Sequence, residues 1–256
     1  MRDKRVWLTG ASSGIGEGLA LELARRGARV ALTARSEESL AQLCDRIKKG
    51  GGDAVVCAGD VTDTVSLKRA YSALKESFGG ADIVIANAGT HFETWPEREF
   101  LPDQYLDLMN INYGGMLRTF GVVLPEMTEA KKGHLVGVAS LAGYRGLPRA
   151  AAYGASKAAM ILFLESMRFH LESVNVAVTT VCPGFVKTPL TDKNTFSMPF
   201  LTDVESAARI ICDGIERKKE CITFPFPFNW FMSLVRILPN FLFKPLARAA
   251  QRKASE

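Results

Sequence analysis

The chain has 256 residues, 47% of them hydrophobic, and a mean hydropathy of +0.06. That length and apolar content suit one large α/β domain and exclude global disorder. Of the formal charge of +5, residues from Asn229 onward contribute +4 (Arg236, Lys244, Arg248, Arg252 and Lys253 against Glu256), so the rest of the chain is nearly neutral and no nucleic-acid partner is indicated.

In chain order, short β-branched runs alternate with helical patterns. Strands are predicted at 5–9, 28–34, 53–58, 82–87, 134–140, 175–182 and 221–224. Helices are predicted at 16–26, 36–49, 64–78, 102–130, 152–173 and 203–218. The strand runs are apolar without alternation, as in strands buried on both faces. This order predicts an α/β fold: a doubly wound, Rossmann-like sheet of about seven parallel strands with helices on both faces. One domain over 1–224 is expected to hold both cofactor and substrate sites, with an apolar, then basic extension over 225–256. A second break in the rhythm is the polar, helix-poor stretch 184–202.

Five cysteines (44, 57, 182, 212, 221) form no CxxC pair and read as reduced thiols of a cytoplasmic protein. The first strand-like run begins at Arg5, which leaves no room for a signal peptide, and no apolar stretch approaches the ~20 residues of a membrane span. His91, His134 and His170 show no metal-ligand spacing, so no metal is expected; each reads as structural or surface, with His91 also placed to line a cleft.

Two short motifs carry chemistry. "TGASSGIG" (9–16) follows the first strand, and its Gly10, Gly14 and Gly16 allow a tight turn and close approach of a pyrophosphate to a helix N-terminus. Its Gly-x3-Gly-x-Gly spacing differs from the broader dinucleotide fingerprint. "YGASK" (153–157) puts Tyr153 and Lys157 one helical turn apart on one face, which by itself supports only the proximity of a phenol and an ammonium. Added to these are "GDV" (59–61), "NAG" (87–89), "NINYGG" (110–115), Ser140 thirteen residues before Tyr153, and "PGFVKT" (183–188). Together, over about residues 4–224, they resemble the short-chain dehydrogenases/reductases.

The resemblance implies an oxidoreductase with a tetrad of Asn112, Ser140, Tyr153 and Lys157. It implies a dinucleotide bound by Gly10, Ser12, Ser13, Gly14, Ile15 and Gly16, with Asp60 and Val61 at the adenine and Asn87, Ala88 and Gly89 after the fourth strand. Pro183, Gly184, Val186 and Thr188 would hold the nicotinamide end, and Lys157 and Tyr153 would also touch the cofactor. Ser140 would stabilise the substrate oxygen and Asn112 would hold a water that extends a proton relay from Lys157. Read from the residues alone, Ser140 is a plain strand-end serine. Asn112 is a packing residue before Gly114 and Gly115, a pair that suggests a distorted helix or close packing. After the second strand Ala34 and Arg35 stand where a carboxylate would select NAD(H), so NADP(H) is favoured, although Arg35 facing solvent is the plain alternative.

Hydride transfer to a carbonyl needs a proton at oxygen, and Tyr titrates near ~10. An ammonium at roughly 4 Å and an effective dielectric of ~20 favours tyrosinate by about 4 kcal/mol, so Lys157 is expected to lower the Tyr153 pKa. The cleft is expected to be apolar, lined by Ser140, Leu141, Tyr153 and Phe185, with Phe92, Trp95, Tyr144, Leu147, Phe196, Met198 and Phe200 around them, and Arg145 either meeting an anionic group or simply exposed. That lining suits a lipid-, steroid- or aromatic-like carbonyl or alcohol. The resemblance also implies a homodimer or homotetramer through 102–130 and 152–173. The apolar-to-basic run 229–253, broken by Pro239, either packs on the domain or a partner subunit or makes peripheral membrane contact. The competing functional readings are a dinucleotide-binding sensor or scaffold and a membrane-peripheral enzyme of lipid-like substrates.

Overall fold

The computed structural model describes residues 1–192 and 198–252, the last three of these by backbone only. Phe196, the Arg252 side chain, Lys253 and Glu256, all used in the sequence reading, lie outside the described residues. Seven strands form one parallel sheet: β1 (Arg5–Thr9), β2 (Arg29–Thr33), β3 (Asp53–Val56), β4 (Ile83–Ala86), β5 (Gly133–Val138), β6 (Val176–Pro183) and β7 (Cys221–Phe224). Their order is β3-β2-β1-β4-β5-β6-β7, so the chain reverses its direction of winding between β3 and β4. The crevice at the C-terminal ends of β1 and β4 is therefore the switch point where open α/β sheets bind ligands.

Burial explains the strand runs. Val6, Trp7, Leu8, Val30, Ala31 and Leu32 have no exposed surface, and the register pairs Val6 with Val30 and Ile83. Trp7 keeps its indole in this interior because Nε1 donates to Thr33 Oγ1 (2.8 Å), which donates to the Cys57 carbonyl (2.7 Å). On one face α1 (Gly14–Arg25), α2 (Glu37–Lys49) and α7 (Val204–Glu216) pack their leucines and isoleucines. On the other lie α3 (Thr64–Phe78), α5 (Gly115–Glu129) and α6 (Ala151–Glu172).

The predicted helix 102–130 is not continuous. α4 (Pro102–Met109) passes into one π-turn, Asn110–Gly114, before α5 begins. Two observations explain the break. A Cβ at Gly115 would stand 2.8 Å from Val61 Cγ2, so the helix runs against the loop after β3. Asn112, fully buried, accepts from Thr90 N (2.7 Å) and donates to Thr90 O (3.0 Å) and Ser156 Oγ (2.9 Å). The widened turn aims that amide at the β4 loop and α6 together.

The extension forms two further helices, α8 (Phe228–Ile237) and α9 (Asn240–Arg252), separated at Pro239, whose predecessor Leu238 is extended. Met232 and Val235 of α8 are buried against the main body. No helix among the described residues is long and apolar enough to cross a membrane.

Asn112→Ala strips the partners from the Thr90 backbone and Ser156 in a dry site. The expected loss is about 2–4 kcal/mol of unfolding free energy, read by urea titration. A loss below about 0.5 kcal/mol would show that the π-turn does not depend on this amide.

Candidate active site

The site begins with the turn after β1. Gly10 and Gly14 have φ of +66° and +57°, a region open to glycine. A Cβ on Gly16 would sit 1.9 Å from the Gly10 carbonyl oxygen, and one on Gly10 2.6 Å from Ala88 Cα. The turn is thus pressed against the chain leaving β4. Asn87 fastens the two: its Nδ2 donates to Thr9 O (3.2 Å) and Gly10 O (3.0 Å), and its N–H to Thr9 Oγ1 (3.2 Å). Ser13 is extended at the N-cap of α1 and makes no side-chain cap bond, whereas Ser36, Asp63 and Asp203 each cap their own helix. The free N–H groups of α1 are left facing the crevice beside Ser12 and Ile15, which are part-buried. Thr188, 7% exposed, closes over this turn, its Cγ2 lying 3.1 Å from where a Gly14 Cβ would be. The turn fits a diphosphate at its free N–H groups; a side chain on Gly10 or Gly16 would force it away from the chain leaving β4.

The adenine-side residues lie at the ends of β2 and β3. Arg35 is exposed two residues after β2, and the Ala34 carbonyl accepts from Gly59 N (3.1 Å). The Asp60 carboxylate accepts from Thr62 N and Oγ1, both at 2.8 Å, which together with the field of Arg35 holds its pKa below the ordinary value. Val61 is 8% exposed and braces the π-turn. At the other end Pro183 closes β6, Gly184 N donates to Phe224 O (2.7 Å), and Val186 is buried and bridged to Thr202.

The tetrad converges between β5 and α6. Lys157, 4% exposed, donates from Nζ to Val138 O (2.8 Å) and lies 5.6 Å from the centroid of the Tyr153 ring. Gly89 lies alongside: a Cβ there would crowd Asn112 Oδ1 at 3.1 Å and touch Lys157 Nζ at an ordinary 3.5 Å. Ser140 Oγ accepts from Ala142 N (3.1 Å) and donates weakly to Pro183 O (3.4 Å). Asn112 ties the group together through Ser156, whose hydroxyl donates to Tyr153 O (2.8 Å). Both amide hydrogens of Asn112 are thereby engaged, so its side chain acts here as a brace.

The electrostatics differ from the sequence expectation. Burial raises the Tyr153 pKa, against the lowering effect of the Ser140 hydroxyl. Burial also lowers that of Lys157 to about 8. The ammonium is turned to a carbonyl, that of Val138, and desolvation is the largest influence on both groups. Tyr153 is held as a neutral phenol.

Other expectations shift in detail. Leu141, expected to touch substrate, is 1% exposed, because the 3-10 turn Leu141–Gly143 capped by Ser140 rotates it into the core. Arg145 meets no open cleft: it donates to Arg236 O (3.2 Å) and Asn240 Oδ1 (2.6 Å) and covers the Phe243 ring at 4.6 Å. His134 is structural, bonded to Thr179 Oγ1 (2.7 Å), with burial depressing its pKa to about 4. His91, which the sequence also placed to line a cleft, lies against the tetrad. Its ring lies edge-on to Tyr153, with centroids 4.9 Å apart. The sequence signal for it was only its place just after "NAG". Phe92 packs edge-on to Tyr105 (6.0 Å), and this wall is pinned to the segment before α6 by Thr94 N to Arg149 O (2.9 Å) and Ala151 N to Thr94 Oγ1 (3.0 Å). The Phe185 ring stacks on Phe228 of α8 (5.7 Å), and Phe200 stacks there too (6.3 Å). Among the described residues no cluster could hold a metal.

Residues 4–197 match the profile of the short chain dehydrogenase family. An uncharacterized oxidoreductase of Myxococcus xanthus is 43% identical over 97% of this chain and 98% of its own. The 11-beta-hydroxysteroid dehydrogenase-like 4A protein of Arabidopsis thaliana is 36% identical over 93% of this chain and 82% of its own. Among solved structures, a variant of actinorhodin polyketide ketoreductase with NADPH superposes with a TM-score of 0.79 at 26% identity, over 87% of this chain and 97% of that one. The glycine turn, the convergent tetrad and these likenesses agree: the chain belongs to the short-chain dehydrogenase family and is an oxidoreductase.

Proposed function

We propose that the protein reduces the carbonyl of an apolar substrate, with NADPH the preferred hydride donor. The observation that carries this reading is the convergence of Ser140, Tyr153 and the buried Lys157, whose Nζ lies 5.6 Å from the Tyr153 ring centroid, at the C-terminal mouth of the sheet. When bound, the dinucleotide supplies the hydride. The chain supplies the rest. Ser140 holds the carbonyl oxygen, and Tyr153 donates its phenolic proton to it, becoming tyrosinate. Lys157, its Nζ 5.6 Å from the Tyr153 ring centroid, then faces a negative charge, and the attraction is realised only as that charge develops. Asn112 and Ser156 fix the height of Tyr153 on α6. Gly10, Ser12, Ser13, Gly14, Ile15 and Gly16 would cradle the diphosphate, with Asn87, Ala88 and Gly89 beneath it. Asp60 and Val61 would border the adenine, and Pro183, Gly184, Val186 and Thr188 the nicotinamide.

The aromatic lining at Phe92, Phe185 and Phe200 supports an apolar substrate. So do relatives named for steroid and ketoacyl chemistry, the second a ketoacyl reductase of Nostoc, HetN, at 34% identity over 84% of this chain and 76% of its own. The exposed Arg35, with Asp60 engaged by Thr62, supports selection of a 2′-phosphate. Exposed Leu106, Leu162 and Phe169 on α4 and α6 support self-association there.

An NADPH-oxidation screen over apolar ketones, 3-oxoacyl thioesters, steroids and sugars tests the reading. An apolar carbonyl is expected to turn over, with kcat falling at least about 100-fold in Tyr153→Phe. Unchanged turnover in that variant would remove the proposed acid. Arg35→Asp is expected to shift the NADPH/NADH preference in kcat/KM by about 10- to 100-fold toward NADH; an unchanged ratio would reassign Arg35 to solvent. Lys157 also leaves a signature in stability. Its native pKa of about 8 lies below its unfolded value, so the unfolded chain holds more protons between the two, and stability rises with pH across that window. Wild type should gain about 3 kcal/mol relative to Lys157→Met between pH 7.5 and pH 10.5, measured by denaturant midpoints. A constant difference would mean that the ammonium is solvated.

A further inference from the structure

We propose that the outer face of α8 and α9 docks on an anionic lipid surface, with the mouth of the substrate cleft turned toward it. α8 carries its polar residues, Asn229, Ser233 and Arg236, along one stripe and apolar side chains over the rest of its surface. Its inner side is buried through Met232 and Val235, yet Trp230 (74% exposed), Leu234 (48%) and Ile237 (75%) stand on the outer side. Large apolar side chains clustered on an outer face suit contact with a second apolar phase. α9 continues the surface with Phe241, Leu242 and Leu246, each exposed. Lys244 and Arg248 lie one turn apart beside them, a spacing that forms a basic rim along the apolar stripe.

Charge selects the occupant. From Cys221 to Ser255 the sequence contains no Asp or Glu, against the five bases Arg236, Lys244, Arg248, Arg252 and Lys253. A second copy apposed through this face about a two-fold axis would bring like charges together with no acid in the segment to receive them. Anionic head groups meet both requirements, apolar depth and negative charge. Neither helix is long and apolar enough to span, so the pair lies on the surface. Arg145 makes the pair one unit: it bonds Arg236 O and Asn240 Oδ1 across the Pro239 break and lies over the Phe243 ring.

The face is continuous with the cleft. Phe228, the first residue of α8, stacks on Phe185, Phe200 and Phe231 at 5.7, 6.3 and 6.5 Å. One aromatic run therefore joins the wall beside the tetrad to the exposed helices, which suits a substrate that reaches Tyr153 out of the lipid phase. This last step rests on the carbonyl-reductase reading; the docking does not.

Full-length protein is sedimented with phosphatidylcholine vesicles, with and without phosphatidylglycerol, at low salt. Wild type is expected to pellet with the anionic vesicles at least about tenfold more strongly than with the zwitterionic ones, with a blue shift in tryptophan emission. Trp230→Ser/Ile237→Ser and Lys244→Glu/Arg248→Glu should each cut that partition about tenfold or more, with turnover of a water-soluble ketone unchanged. Wild type remaining in the supernatant with both vesicles would overturn the proposal, as would binding indifferent to both double variants. So would conversion of an oligomer to monomers by Trp230→Ser/Ile237→Ser without vesicle binding, which would make the face a contact between copies. Vesicle binding without turnover of any ketone would instead overturn the reductase reading and leave the docking intact.

Discussion

Lys157 is an ammonium with 4% of its surface exposed, held in the interior by one carbonyl, that of Val138. Removing such a charge from water is costly unless its surroundings are arranged to receive it, and much of the site is that arrangement. Gly89 leaves room for the Asn112 amide, which a Cβ would crowd at 3.1 Å. The π-turn that displaces Asn112 inward breaks the long helix between α4 and α5. Ser156, bonded to Asn112, fixes the backbone of Tyr153 one turn before Lys157. The same desolvation that depresses the Lys157 pKa raises that of Tyr153. Under the proposed function, the phenol would be a protonated acid beside a cation that gains most when the acid gives up its proton.

The seven strands were legible because each is an unbroken apolar run, and the sheet that buries them on both faces demands that pattern. The glycine turn was legible because Gly10 and Gly16 leave no space for a Cβ. The distortion near Asn112 was visible only as the cost of Gly114 and Gly115. Its form, a π-turn, depends on Val61 and Thr90, which are distant in sequence. Leu141 was misread because a strand-end neighbour of Ser140 should face the cleft, and the 3-10 turn rotates it inward. Charge on Tyr153 was misjudged because spacing gives the distance to Lys157 but not the depth of burial. His91 was placed near the cleft only by following "NAG"; the Arg145 clamp carries no periodicity or motif, and tertiary packing alone assigns it.

The extension changes the meaning of the cleft. Without α8, Phe185 would lie at the edge of the cleft; with it, the wall runs through Phe228 to an exposed apolar surface. Gly184 is part of that junction, since a Cβ there would crowd Phe228 and Pro225, both at 3.0 Å. The residues that would hold the nicotinamide end and those that would admit an apolar substrate thus meet within three positions, Pro183 to Phe185.

The central claim is direct hydride transfer to a carbonyl carbon held beside Tyr153. NADPH deuterated on the transferred face of nicotinamide C4 tests it with an apolar ketone, the product being read by mass spectrometry. The account predicts one deuterium on the carbinol carbon and a solvent-derived proton on its oxygen. Deuterium washed into solvent, or a reduced product without label, would contradict it.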